Sequence, residues 1–139
     1  VEPGAADEPS GAPPRRTARV LYIDDDEAFL ELLGGFLERR GYRVETFPDS
    51  TAALARLREA PDRFDVVLTD YLMPGRSGVA VAREVRLIRA DLPVIVVSES
   101  VRWDLGSRVL DPSISAAIAK SDPAAVESAI ERFGPRRAD

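Results

Sequence analysis

The strongest constraint on this chain is a regular alternation that begins near residue 18. Short apolar runs rich in β-formers recur, and each is followed by a stretch with apolar residues at helical spacing. "ARVLYI", "YRVETF", "FDVVLTD", "LPVIVVS" and "ISAAIA" read as five strands, and runs apolar throughout suit strands covered on both faces. Phe29, Leu32, Leu33, Phe36 and Leu37 mark a first helix, with Gly41 placed as its C-terminal glycine. Ser50 is expected to cap a second helix over "TAALARLREA", which Pro61 closes. Val79, Ala82, Val85 and Ile88 mark a third, and residues 101–110 a short fourth that Pro112 stops. Asp122 caps and Pro123 opens a fifth, with Val126, Ala129, Ile130 and Phe133 facing inward. Strands and helices in this alternation build an α/β fold: a doubly wound, five-stranded parallel sheet with right-handed crossovers and five helices on its two faces.

In such a sheet, ligands bind beyond the carboxyl ends of the strands, where the strand order reverses. Asp24 and Asp25 end the first strand, Asp70 the third and Ser98 the fourth, and Lys120 follows the fifth. An acidic run such as "DDDE" is ordinarily a solvated loop. Here the topology gathers it with another carboxylate, a hydroxyl and an ammonium, so a functional site is expected at that edge. Three carboxylates held together repel and call for a hard cation. The chain has neither histidine nor cysteine, which excludes histidine-based triads and imidazole or thiolate metal sites. Oxygen ligands then point to magnesium, calcium or manganese. One carboxylate of the group can serve as nucleophile toward a phosphoryl group, with Lys120 as a point charge and Ser98 as a hydroxyl donor. Positioning and charge neutralisation are most of what phosphoryl transfer asks of a protein, so no general base is required.

The 139 residues suffice for one domain. Residues 1–16, "VEPGAADEPSGAPPRR", bury too little apolar surface to offset ordering and read as a flexible tail or linker. The domain is expected over 17–134, with a short tail at 135–139. A net charge of −5 argues against direct nucleic-acid binding. No apolar run approaches the roughly 18 residues of a membrane span, and no basic-then-apolar leader is present. No membrane insertion by this segment and a cytoplasmic location are therefore expected.

The residues "LYIDDDE", "DVVLTDYLMPGRSG", "LPVIVVS" and the lysine of "AIAKS", in this order, resemble a response-regulator receiver domain of two-component signalling. The likeness covers roughly residues 18 to 133 and implies the flavodoxin-like order of strands. It implies that Asp70 is the phospho-acceptor in a histidine-to-aspartate phosphorelay. Asp25 would ligate Mg²⁺ (or Mn²⁺) directly, Asp24 largely through water, and Leu72 through its backbone carbonyl. Ser98 and Lys120 would be the phosphoryl-binding and switch residues. Asp26 has no such role and is read as a charge at a helix N-terminus. The implied partner is a histidine kinase or a histidine phosphotransfer protein. A homodimer through the face of the fourth strand, fourth helix and fifth strand also follows. The chain would not be an enzyme beyond accepting, and itself losing, the phosphoryl group.

Several positions depart from the family pattern. Ala117 stands three residues before the lysine, where Tyr or Phe is usual and carries the signal by turning inward. Trp103 is an aromatic nearby, suited to packing or to a partner contact. Ser121 replaces the proline that follows the lysine; its peptide should be trans, because a non-proline cis bond costs about 3 kcal/mol, and Lys120 is expected to be aimed less tightly. Glu99 replaces a small residue after Ser98, and either repels a phosphodonor or points to solvent. Ser113 and Ile114 replace a usual Gly-Ala pair. These departures leave a second reading, a receiver-like interaction module that works without phosphorylation.

Two further readings fit poorly. Asp24 and Asp26 give the Asp-x-Asp of haloacid-dehalogenase phosphatases, but Ala28 stands where that motif wants Thr or Val. A flavin binder of this fold needs a neutral, hydroxyl-rich loop after the first strand, and three aspartates would repel the flavin phosphate. The chain closes soon after its last helix, so no DNA-binding output domain is expected within it. The Pro/Ala/Arg stretch ahead of "RVLYIDDDE" resembles the linker before the C-terminal receiver of a hybrid sensor kinase; a stand-alone receiver is the other expectation.

Overall fold

Side chains alternate across a strand, and in the first strand both sets are apolar. β1 (Arg19–Ile23) sends Leu21 and Ile23 into one core layer and Val20 and Tyr22 into the other, all of them fully buried. The computed structural model describes residues 18–99 and 111–134. Within them, β2 (Arg43–Phe47), β3 (Val66–Asp70), β4 (Val94–Ser98) and β5 (Ala116–Ala119) join β1 in one parallel sheet. The order is β2-β1-β3-β4-β5, so the reversal lies between β1 and β3. β3 and β4 are buried at every position, as their continuous Val, Ile and Leu runs anticipate.

Four helices flank the sheet in the described residues: α1 (Glu27–Arg39), α2 (Ser50–Glu59), α3 (Gly78–Ile88) and α4 (Pro123–Phe133). Leu30, Leu33 and Leu37 of α1 and Val126, Ala129 and Ile130 of α4 cover the Val20/Tyr22 face. Ala53, Leu54 and Leu57 of α2 and Val81, Ala82 and Val85 of α3 cover the Leu21/Ile23 face. Each fully buried Leu or Val contributes on the order of 1.5–3 kcal/mol, so the two layers together dominate the stability. The helix expected over 101–110, with Trp103, lies outside the described residues.

The helix starts differ from expectation at one point. Asp49, not Ser50, is the cap of α2: its carboxylate accepts from the amides of Thr51 and Ala52, both at 3.2 Å. Ser50 is the first helical residue and is buried. Asp26 caps α1 and Asp122 caps α4, as read from the sequence, and Ser77 caps α3. Gly41, with φ 103°, follows the end of α1 in the left-handed region that glycine tolerates. Leu32 and Phe133 are not core residues, being 67% and 37% exposed. The inward stripe of α1 runs through Leu30, Leu33, Gly34 and Leu37, which leaves Leu32 on the solvent side; Phe133 sits in the last turn of its helix.

The loop after β3 is fixed by a close approach of backbones. The Gly78 amide donates to the Tyr71 carbonyl at 2.7 Å. A Cβ at Gly78 would lie 2.6 Å from the Asp70 carbonyl oxygen, so only glycine brings α3 this near the end of β3. Past the undescribed segment, Arg83 of α3 holds Asp111 in an ion pair, and Ile114 is buried in the α2/α3 layer.

Candidate functional site

The geometry begins with Asp24, the first residue past β1. It is wholly buried, and its carboxylate is occupied on both oxygens. Oδ1 accepts the Asp26 amide at 2.9 Å; Oδ2 accepts the Tyr22 hydroxyl and the Lys120 ammonium, each at 2.9 Å. A buried carboxylate needs this much compensation, because an unpaired charge there costs several kcal/mol. Tyr22 and Asp24 are two residues apart on one strand edge, hence on the same face. Burial, followed by the Asp24 charge, pushes the Tyr22 phenol far above its ordinary range, so it stays a donor.

The three aspartates of the run do three different things. Asp24 is sealed in the interior, Asp25 is exposed, and Asp26 turns its carboxylate onto the amides of Ala28 and Phe29 at 3.0 and 3.3 Å. Asp70, at the end of β3, is 7% exposed and accepts the Tyr71 amide on Oδ1 at 2.9 Å. Carboxylate oxygens of Asp24, Asp25 and Asp70 lie within 4.8 Å of one another. Parallel pairing aligns the strand ends that make this possible, with Ile23 opposite Thr69 and Asp70 opposite Val97.

Lys120 follows β5 and is 4% exposed. Its ammonium reaches Asp24 and also lies 3.4 Å from Asp70 Oδ1. It is the single lysine of the chain, every other basic residue being arginine. No peptide bond of the described residues is cis, yet the ammonium is held by two carboxylates and by the ring of Phe29, whose centroid is 4.4 Å away. The Lys120 backbone is pinned as well, its amide donating to the Ser98 carbonyl at 2.9 Å.

Charge balance explains the state of Asp70. Burial and the neighbouring Asp24 charge push its carboxyl up to about 7, against the opposing pull of Lys120. For Lys120, burial pulls the ammonium down, but the hydrogen bond and charge of Asp24, with Asp70 added, leave it above its ordinary value. One cation therefore stays protonated among three carboxylates, and the surplus negative charge is what a hard divalent ion would neutralise. The donor set, all oxygen and partly open through Asp25, fits Mg²⁺ or Mn²⁺.

A cleft of about 270 Å³ opens over these groups, lined by Asp25, Asp26, Asp70, Leu72, Ser98, Glu99 and Lys120. Glu99 is exposed on its rim, and Ser98 is buried at 7% exposure. Ala117 is half-buried on β5 opposite Val96 and packs against the α2/α3 layer. A larger cavity, about 530 Å³, lies at the other end of the sheet among Arg19, Tyr42, Arg43, Glu45 and Arg63. Its charges serve the fold: Arg19 pairs with Asp65, and Arg63 with Glu45.

Sequence reasoning placed Asp24, Asp25, Asp70, Leu72, Ser98 and Lys120 at this edge and missed Tyr22 and Phe29 as partners of the site. A hydroxyl-bearing ring two residues before Asp24, in an otherwise aliphatic strand, was the available signal for Tyr22. Nothing in the helical pattern distinguished Phe29 from a core residue.

Comparison with known proteins agrees with this fold. The family model for the response regulator receiver domain matches residues 20–131. Over 115 residues the chain is 35% identical to the response regulator MprA of Mycolicibacterium vanbaalenii, covering 83% of this chain and 48% of that protein. Over 80 residues it is 42% identical to the two-component response regulator ARR14 of Arabidopsis thaliana, covering 58% of this chain and 21% of that one. The chain thus spans less than half the length of either relative. Among solved structures, the response regulator TrrA of Thermotoga maritima, in complex with Mg²⁺ and BeF, superposes with a TM-score of 0.71 at 28% identity, covering 84% of this chain and 98% of that one.

Proposed function

The chain belongs to the response-regulator receiver family, and from that premise we propose that Asp70 accepts a phosphoryl group from a histidine-phosphorylated partner. The observation that carries this is the convergence of Asp25, Asp70 and Lys120 in one cleft, with Asp24 buried behind them, from three separate strand ends. In the transfer, an Asp70 oxygen forms the new P–O bond as the P–N bond to the donor imidazole breaks, and the leaving imidazole takes up a proton. Lys120 supports this by offering its ammonium to the phosphoryl oxygens, and Ser98 by offering its hydroxyl. Asp25 and Asp70, with Asp24 behind them, and Leu72 of the cleft wall through its carbonyl are the residues that would hold Mg²⁺ or Mn²⁺. Bound there, the ion would neutralise charge on the phosphoryl oxygens.

The phosphorylated site then changes which partners the surface binds. The small side chain at Ala117 assigns that readout to some group other than an inward-turning ring on β5. The reading includes a histidine kinase or phosphotransfer protein as donor, a receiver over 17–134 with flanking tails, and a cytoplasmic setting. It also includes a second copy docking on the face around β4 and β5. Among the described residues no helix is long and apolar enough to cross a membrane.

Intact mass after incubation with acetyl phosphate and Mg²⁺ tests the proposal, with Asp70→Asn and a magnesium-free sample as controls. A single phosphate adduct in the wild type, absent from both controls, is the expected result. Failure to form it with a cognate phosphorylated histidine donor as well would replace this reading with a phosphorylation-independent module.

A further inference from the structure

The lone lysine is held on more than its charge. Its ammonium lies against the carboxylates of Asp24 and Asp70 and also over the ring of Phe29, 4.4 Å from the centroid. Phe29 stands in the first turn of α1, half-buried, and its amide is one of the two donors to the Asp26 cap. The acidic run thus sets the ring in place through the cap. A lysine carries a flexible four-carbon stem and a charge that carboxylates attract without fixing its direction. A ring face adds direction, and it gains strength where water is excluded, as around a side chain 3% exposed. Carboxylates that come to share their charge with a cation or a phosphoryl group release part of their hold on the ammonium. The ring's hold does not depend on that charge.

We infer that Phe29 is a positioning residue for Lys120, keeping its ammonium over the cleft while the carboxylates engage other charges. The consequence for phosphoryl transfer rests on the reading of Asp70 as acceptor; the placement of the lysine does not.

Labelling with ¹³C-lysine gives one spin system, because the chain has one lysine. The ε-methylene resonances are expected upfield of those of a solvated lysine, through the ring current of Phe29. Phe29→Tyr retains that shift, and Phe29→Leu loses it. With acetyl phosphate, Phe29→Leu is expected to be phosphorylated about fivefold to tenfold more slowly, the equivalent of about 1 kcal/mol, while Phe29→Tyr stays near the wild-type rate. Loss of packing alone would lower the thermal midpoint in step with the rate, whereas loss of positioning slows the transfer with the midpoint little changed. An unshifted lysine in the wild type, or a Phe29→Leu variant as fast as the wild type, overturns the inference. If the wild type takes no phosphate at all, the acceptor reading fails, and the lysine resonance still decides where Phe29 holds the ammonium.

Discussion

At Asp70, burial beside Asp24 outweighs the attraction of Lys120, and the carboxyl is raised from an ordinary 3.8 to about 7. The native state therefore binds this proton more tightly than the unfolded chain does. The contribution to stability is complete below the ordinary carboxylate pKa and is lost as pH rises through about 7. Without divalent cations, the urea midpoint of the wild type should fall between about pH 4 and about pH 7, and Asp70→Asn should flatten that slope. A wild-type midpoint that rises over the same range would contradict the assignment. Asp24 explains why the neighbour matters so much. Fully buried, it is held by Tyr22, Lys120 and the Asp26 amide, and its charge beside Asp70 opposes ionisation there.

At the scale of elements, the ends of helices carry the distinctions. Asp49 serves two amides of α2, whereas Ser50 is already inside the helix. Asp49→Ala should cost about 1 kcal/mol and Ser50→Ala clearly less, measured by chemical denaturation. Equal losses would mean that the serine shares the cap. Gly78 is the second case, since α3 begins against the carbonyl of Asp70 itself. Gly78→Ala would place a methyl 2.6 Å from that oxygen, so helix and strand must separate. The expected loss is about 1–3 kcal/mol, with a weakened response to Mg²⁺ because the shift begins at the acceptor. A variant as stable and as magnesium-responsive as the wild type would show that the loop absorbs the methyl without moving Asp70.

For the molecule as a whole, the site exists only because the sheet order brings three strand ends together. A ligand that binds this assembled edge and not the unfolded chain stabilises the entire domain by mass action. Mg²⁺ at a hundredfold excess over its dissociation constant should add about 2.7 kcal/mol to the unfolding free energy. Asp25→Asn should reduce that gain, although Asp25 is exposed and adds little to the fold by itself. An equal magnesium response in Asp25→Asn would move the ion away from the cleft.

The sequence by itself determined the α/β alternation, most helix starts, and the gathering of acidic residues and a lysine at one sheet edge. Those follow from periodicities of 2 and 3.6 and from the rule that parallel strands point their carboxyl ends the same way. Asp24 and Asp25 are adjacent residues of the same type, and it was tertiary structure that made one the buried partner of Lys120 and left the other in the cleft mouth. Lys120 is 96 residues away from Asp24, and the distance between their charged atoms depends on the strand order, not on spacing. The same holds for Tyr22 and Phe29, which read as apolar positions in a strand and a helix. Their polar tip and ring face gained roles only when the edges of β1, α1 and β5 met around one buried ammonium.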